Sequence, residues 1–85
     1  MEKIKVFVKR SAVKNLRKFP KQIQNKIQQA ILKYLTNRPD IADGKHIRKL
    51  IDGYRLRVGD YRIFYYIEAK KVIVTAIERR TSTTY

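Results

Sequence analysis

The sequence has 85 residues, and 21 Lys and Arg against seven Asp and Glu give it a formal net charge of +14. This length, with 44% hydrophobic residues, predicts one small domain over residues 1–85 with a modest core. No run approaches the ~20 apolar residues of a membrane-spanning helix, and the absence of cysteine excludes disulfides, a thiolate nucleophile and a cysteine-based metal site.

The charge excess predicts a polyanionic partner. Nucleic acid, an acidic membrane surface and an acidic protein all fit. We favour nucleic acid, because membrane binding would also require an amphipathic helix with an exposed apolar face. No apolar signal region follows Met1, so a cytoplasmic location is expected. The single histidine, His46, cannot build a zinc cluster, and we expect no metal or other cofactor.

The N-terminal half predicts a strand followed by two helices. Residues 3–9 alternate as a strand does. Ser11 is placed to cap a short helix over residues 12–19, and Pro20 suits the first turn of a second helix, which runs from Lys21 to about Asn37. The second helix carries an apolar stripe that should pack on a sheet, formed by Ile23, Ile27, Ala30, Ile31, Tyr34 and Leu35.

The C-terminal half predicts an antiparallel meander. A loop with Pro39 and Gly44 comes first, and the following segment, residues 47–53, is ambiguous between loop and short strand. Strands are expected at about residues 54–58, 61–68 and 71–78. Since no helix separates these strands, the fold class is α+β, with an N-terminal strand, a helical hairpin and a three-stranded meander. The helices should cover one face of the sheet and leave the other open.

Two-residue turns at Gly59-Asp60 and Ala69-Lys70 would fix the register of the meander, because successive side chains alternate between faces. The face expected to meet the helices is apolar. Its predicted pairs are Val58 with Tyr61, Leu56 with Ile63, Ile67 with Val72, Tyr65 with Val74, and Ile63 with Ala76.

The same register lines up arginines on the open face. The predicted pairs there are Arg57 with Arg62, Arg55 with Phe64, Phe64 with Thr75 and Tyr66 with Ile73, and Arg79 falls on the side of Arg62. Like charges directly opposite each other destabilise a sheet. One interpretation is a solvated face partly compensated by Asp52, Asp60 or Glu78. The other is an anion site, because the guanidinium fork binds phosphate and aromatic rings stack on unpaired bases.

The segment "KLIDGYRLRVGDYRIFYYIEAKKVIVTAIERR" resembles the C-terminal half of toxins of the RelE/ParE superfamily, which belong to toxin–antitoxin pairs. The N-terminal half is similar to these toxins in plan. The resemblance implies a compact α+β fold like that of microbial ribonucleases and a cognate antitoxin that wraps over the toxin. Some members of the superfamily cleave mRNA in the ribosomal A site, whereas ParE-like members poison DNA gyrase. The arginines and the terminal tyrosine favour the RelE-like branch.

For that branch the resemblance implies metal-free attack of the ribose 2′-OH on the adjacent phosphate. It assigns the catalytic groups to Arg55 and Arg57 on one strand, Arg62 after the turn, Arg79 at the end of the last strand, and Tyr85 as base or orienting group. Arg80 is the alternative to Arg79 if the last strand is shifted by one residue. Phe64 is expected to stack on RNA, and Lys45, Arg48, Lys49 and Arg80 to contact phosphates of mRNA and ribosomal RNA.

Two departures from the family pattern concern catalysis. Tyr85 is the last residue, where relatives often continue into a helix, and arginine stands where relatives often have lysine. Arginine stabilises charge but is a poor acid or base, and a tyrosine with an ordinary pKa of about 10 needs nearby cations to become a base. We interpret His46 as an exposed loop residue, and Tyr54 and Tyr61 as residues at the edge of the core.

Three functions stay open from the sequence. The first is a ribosome-dependent mRNA endonuclease held silent by an antitoxin. The second is a ParE-like inhibitor of DNA gyrase without catalysis of its own. The third is a basic module that binds RNA or antitoxin and cuts nothing.

Overall fold

The computed structural model describes residues 4–36 and 46–79. It contains two helices and five strands. In chain order they are β1 (Lys5–Val8), α1 (Arg10–Arg17), α2 (Lys21–Ala30), which continues into a π-helical turn (Ile31–Leu35), β2 (Ile47–Leu50), β3 (Gly53–Val58), β4 (Tyr61–Glu68) and β5 (Lys71–Arg79).

The five strands form one sheet in the order β1-β5-β4-β3-β2. Neighbours are antiparallel except for β1, which pairs parallel to β5 with Val6 opposite Val72 and Val8 opposite Val74. The α+β class, the helical hairpin and the three-stranded meander are confirmed. The ambiguous segment before the meander is strand β2, which extends the sheet beyond β3.

The core lies between the helices and one face of the sheet. Ile27 and Leu35 of the second helical segment pack with Leu56 and Ile63 of the sheet, and all four are fully buried. Burial of each such side chain contributes about 1.5–3 kcal/mol. The apolar stripe predicted for the second helix is confirmed, because its residues lie in this core or pack against it. We call the opposite face of the sheet the open face.

Ser11 does not cap α1. The helix begins at Arg10 after Lys9, and no side chain caps its first turn. The Ser11 hydroxyl instead donates a 2.8 Å hydrogen bond to the carbonyl oxygen of Thr75 in β5. The predicted cap was wrong because a tertiary partner takes the hydroxyl.

The predicted register holds through the β3–β4 hairpin and through the first half of β5. Val58 lies opposite Tyr61, and Tyr65 opposite Val74. Beyond that point Thr75 is an extra residue, a β-bulge, so that Phe64 pairs with Ala76 and Ile63 with Ile77. The predicted pairs Phe64 with Thr75 and Ile63 with Ala76 were therefore wrong.

The bulge lies where β5 changes its neighbour. β1 pairs with β5 only as far as Val74, and α1 runs alongside the rest of the strand. Besides the bond from Ser11 to Thr75, the backbone N–H of Ile77 donates to Oδ1 of Asn15 at 3.1 Å. Side chains of α1 thus satisfy backbone groups on the part of the β5 edge that β1 does not reach.

None of the helices in the described ranges has the length and apolar character needed to cross a bilayer. Within the same ranges, His, Cys, Asp and Glu residues do not gather in threes as a metal site would need.

Candidate functional site

Four arginines surround one pocket on the open face. Its volume is about 330 Å³. We call it the arginine pocket, and its lining is formed by Arg48, Arg55, Arg57, Gly59, Tyr61 and Arg62.

Strand pairing places these arginines. Arg57 on β3 lies directly opposite Arg62 on β4. Arg55, two residues earlier on β3, lies between Arg48 on β2 and Phe64 on β4. The pairing of β2 with β3 is extended by the backbone N–H of Arg57, which donates to the carbonyl oxygen of His46 at 2.7 Å. Strand β2 therefore adds a fourth arginine to the three that the meander supplies.

Buried residues hold the arginines in this register. Leu56, between Arg55 and Arg57, and Ile63, beside Arg62, are fully buried and lie opposite each other. A slip of one residue would exchange the faces and bring the guanidinium groups into the core. The cost of burying unpaired charges excludes that arrangement.

The electrostatics of the pocket favour an anion. Side chains directly opposite each other on antiparallel strands have Cβ atoms roughly 4.5–5.5 Å apart, and like charges at that distance destabilise the sheet. A bound phosphate would convert this repulsion into attraction. Arginine forks also match phosphate oxygens in bidentate geometry, through charge-assisted hydrogen bonds.

Arg79 does not join the cluster. Because of the bulge at Thr75, its partner across the strands is Tyr61, on the side of the sheet that carries Ile77 and the core. Its neighbour Glu78 lies opposite Arg62 on the open face instead. The expectation that Arg79 shares a side with Arg62 was wrong. The alternation of side chains in the sequence could not reveal the extra residue at Thr75, which directs Glu78 instead of Arg79 to the open face.

An apolar groove adjoins the arginine pocket along the open face. Its volume is about 700 Å³. We call it the aromatic groove, and its lining is formed by Leu50, Ile51, Asp52, Gly53, Tyr54, Phe64, Tyr65, Tyr66, Thr75, Ala76 and Glu78.

Gly53 has a steric role in the groove. A Cβ atom there would collide with the carbonyl oxygen of Tyr65 and would lie 3.3 Å from Cβ of Tyr66. Any larger residue would therefore displace β4, which explains the glycine between the β2–β3 turn and the arginines of β3.

The sequence matches a known family over almost its whole length. The model of the ParE toxin of the type II toxin–antitoxin system parDE matches residues 6–83. The chain belongs to this ParE toxin family. It is thus a toxin of the RelE/ParE type, as the sequence resemblance implied. No curated protein matches the toxin by sequence.

Solved structures share the fold of the toxin at low sequence identity. The toxin–antitoxin complex RelBE2 from Mycobacterium tuberculosis gives a TM-score of 0.80 at 20% identity, covering 93% of this chain and 100% of that one. The archaeal RelE–RelB complex from Pyrococcus horikoshii gives 0.76 at 24% identity, covering 93% and 97%. The isolated RelE toxin of Escherichia coli gives 0.75 at 18% identity, covering 94% and 87%. These similarities establish the RelE-like fold.

Other residues that the sequence singled out lie in different places. Arg48 lines the arginine pocket and Phe64 the aromatic groove. Lys49 alternates with Arg48, lies opposite Tyr54, and so points to the face that carries the core. Lys45, Arg80 and Tyr85 lie outside the described residues.

His46 and the tyrosines follow the sequence interpretation. His46 is exposed and stacks on Tyr34, with ring centroids 5.0 Å apart. Tyr61 packs edge-to-face on Phe19 at 4.9 Å, and Tyr54 stacks on Tyr65 at 5.4 Å. Tyr61 also lines the arginine pocket. The sequence pattern did not indicate this second position, because strand alternation places Tyr61 on the face of the core.

Proposed function

We propose that this toxin is a ribosome-dependent mRNA endonuclease. The observation that carries the proposal is the arginine pocket, where Arg48, Arg55, Arg57 and Arg62 line one cavity. A cluster of this kind suits a phosphate whose charge increases during the reaction. The aromatic groove beside it offers rings on which unpaired bases can stack.

In the proposed reaction the ribose 2′-oxygen attacks the adjacent phosphorus, and the bond to the 5′-oxygen breaks. The products are a 2′,3′-cyclic phosphate and a 5′-hydroxyl. Arg57 on β3 and Arg62 on β4 hold the scissile phosphate from two sides. Arg48 and Arg55 bind the next phosphate along the RNA. Guanidinium groups stabilise the developing charge without a metal ion. The resemblance further assigns Tyr85 the role of base or orienting group, and we propose that it orients the nucleophile.

The proposed partners are mRNA on the ribosome, ribosomal RNA and a cognate antitoxin. The net charge of +14 supports RNA affinity, with Lys45, Lys49 and Arg80 as further phosphate contacts. An antitoxin is supported by the family, and by neighbours of this fold that were solved as toxin–antitoxin complexes. Its binding segment should be acidic or of mixed charge.

The test is cleavage of mRNA on ribosomes stalled with a defined codon in the A site, read by primer extension. We expect cuts with the purified toxin, and a loss of at least ~100-fold in rate for Arg62→Ala and Arg57→Ala, as for removal of one transition-state donor. Arg10→Ala is the matched control. Arg10 is an exposed arginine of α1, which follows the strand at the opposite sheet edge from β2, and it should cut like the wild type. Equal cutting by Arg62→Ala and wild type would refute the proposal.

A second candidate is inhibition of DNA gyrase without catalysis, favoured by the match to the ParE family model. Inhibition of gyrase through protein contacts does not require the arginines of the pocket to bind one phosphate together. A supercoiling assay with purified gyrase distinguishes the two. Inhibition of gyrase, together with intact mRNA on the ribosome, would establish the second function and exclude the first. Binding of RNA with neither effect would indicate the non-catalytic module.

A further inference from the structure

We propose that Glu78 is the general base of the cleavage reaction, taking the proton from the ribose 2′-hydroxyl. This inference rests on the proposed endonuclease function and adds a catalytic residue to it. Its basis is the one-residue register change in β5, which brings a carboxylate instead of a guanidinium next to Arg62.

Among the residues that the structure describes, the guanidinium groups of the arginine pocket supply charge stabilisation but not proton transfer. The 2′-hydroxyl must lose its proton to become a nucleophile, and a positioned base must accept it. Arginine stays protonated in proteins and cannot serve as that base. The lining of the pocket within residues 4–36 and 46–79 is four arginines, a glycine and Tyr61, whose ring packs on Phe19 of the helical hairpin.

Glu78 lies on the open face next to Arg62, which lines the arginine pocket. It is exposed and directly opposite Arg62 on the open face, so that the two Cβ atoms are roughly 4.5–5.5 Å apart. It also lines the aromatic groove together with Phe64. A nucleotide with its base in the groove and its 3′-phosphate in the arginine pocket would place its ribose between them, within reach of this carboxylate.

The position of Glu78 is fixed by hydrogen bonds between its own strand and α1. Ile77, which directly precedes Glu78, is buried, and its backbone N–H donates a hydrogen bond to Oδ1 of Asn15 in α1. The bulge itself is bonded to Ser11 through the carbonyl oxygen of Thr75. Without the bulge, strand alternation would turn Glu78 toward the helices. Two side chains of α1 therefore stabilise the register that directs this carboxylate to the open face.

The proposed step balances in atoms and charge. The Glu78 carboxylate takes the 2′-hydroxyl proton while the 2′-oxygen forms a bond to phosphorus. The bond from phosphorus to the 5′-oxygen breaks, and the leaving oxygen takes a proton from water. The protonated Glu78 then returns its proton to solvent, which neutralises the hydroxide left by that water. Water supplies only a proton at this stage, and the cyclic phosphate is the product.

The experiment measures single-turnover cleavage on saturating ribosomes, so that chemistry is separated from binding. We expect Glu78→Gln to cut roughly 10²–10⁴-fold more slowly than the wild type, the usual contribution of a general base. Glu68→Gln is the matched control, because Glu68 is an exposed glutamate on the same face near the far end of β4, opposite Lys71. It should cut at the wild-type rate. Asp60→Asn tests the carboxylate in the β3–β4 turn and should also cut normally.

Chemical rescue distinguishes a base from a structural residue. Added formate should restore part of the rate of Glu78→Ala and none of the rate of Arg62→Ala. Since Glu78 is exposed, both of its variants should unfold at the wild-type temperature.

Two outcomes would overturn the assignment, and they differ. If the wild type cuts, Arg62→Ala does not, and Glu78→Gln cuts at the wild-type rate, Glu78 is not the base although the endonuclease function stands. The same conclusion follows if the loss appears in Asp60→Asn instead. If the wild type cuts no mRNA, the proposed function fails and this inference fails with it.

Discussion

Arg62 owes its position to the residues on either side of it in the chain. Ile63 is fully buried and Tyr61 is half-buried against Phe19, so Arg62 between them must project to the open face. There it meets Arg57 across one strand pair and Glu78 across the other. At the scale of single residues, the site is thus a consequence of which neighbours are buried.

Arg79 provides a test of this reasoning. Since it lies opposite Tyr61 and away from the arginine pocket, we expect Arg79→Ala to keep at least about half of the toxicity of the wild type. Arg62→Ala should lose most of it. The measurement is growth arrest after induction at matched protein levels. An Arg79→Ala variant as harmless as Arg62→Ala, with its fold intact, would show that the register of β5 does not decide which arginine acts.

At the scale of elements, β5 has different neighbours along its length. Its first half pairs with β1, and its second half meets α1 through Ser11 and Asn15. The bulge at Thr75 marks the change between them. Through these bonds α1 helps to set which β5 side chains lie on the open face, although the helix packs on the other side of the sheet.

Removing the Asn15 side chain should loosen this part of β5. Asn15→Ala deprives the Ile77 N–H of its acceptor, and we expect a loss of about 1 kcal/mol in the free energy of unfolding. Native-state amide exchange should become faster at Ile77 and stay unchanged at Val72, in the half of β5 that pairs with β1. Unchanged exchange at Ile77 would contradict the role given to α1.

The β4–β5 turn is strained, because Ala69 and Lys70 both have positive φ angles, 50° and 62°. Side chains with a Cβ atom disfavour this left-handed conformation by about 1–2 kcal/mol each, whereas glycine adopts it freely. We expect Lys70→Gly to stabilise the toxin by about 1 kcal/mol and to raise its melting temperature by roughly 4–8 °C. Thermal unfolding followed by circular dichroism measures it, with Lys70→Ala as the control that keeps the strain. No rise with glycine would show that the strain relieved at Lys70 does not exceed the entropy cost of ordering glycine.

Across the whole molecule, four arginines are gathered at the arginine pocket, and the other basic residues are spread along the sequence. The net charge of +14 gives affinity for any polyanion. The arginine pocket adds geometry, since four of the arginines lie around one cavity. Long-range attraction should govern encounter with a polyanion, and the pocket should govern which anionic group is held.

Salt dependence separates these two contributions. The logarithm of the association constant for a single-stranded RNA should fall linearly with the logarithm of the salt concentration. The slope should be about −0.7 for each phosphate that the toxin neutralises. Removing one contact in Arg62→Ala should reduce the steepness of that slope by about 0.7. Lys70→Ala, in the turn at the far end of β4, should leave it unchanged. An identical slope for Arg62→Ala and wild type would show that the pocket does not bind RNA phosphates.

Features that depend on neighbouring residues could be predicted from the amino-acid sequence. Alternation and two short turns fixed the faces of β3 and β4, and with them the pairing of Arg57 with Arg62, because burial of Leu56 and Ile63 permits only one register. The family likeness followed from the same stretch and is confirmed by the match over residues 6–83.

Features that depend on distant partners could not be predicted in this way, because they arise from contacts formed in the folded protein. Strand β2 is ambiguous by pattern and becomes a strand by pairing with β3, which brings Arg48 to the pocket. The bulge residue Thr75 is bonded to Ser11 of α1 and Ile77 is bonded to Asn15, each more than 60 positions away in the chain. Local alternation contains no trace of those bonds, so it could not show that Glu78, and not Arg79, faces Arg62.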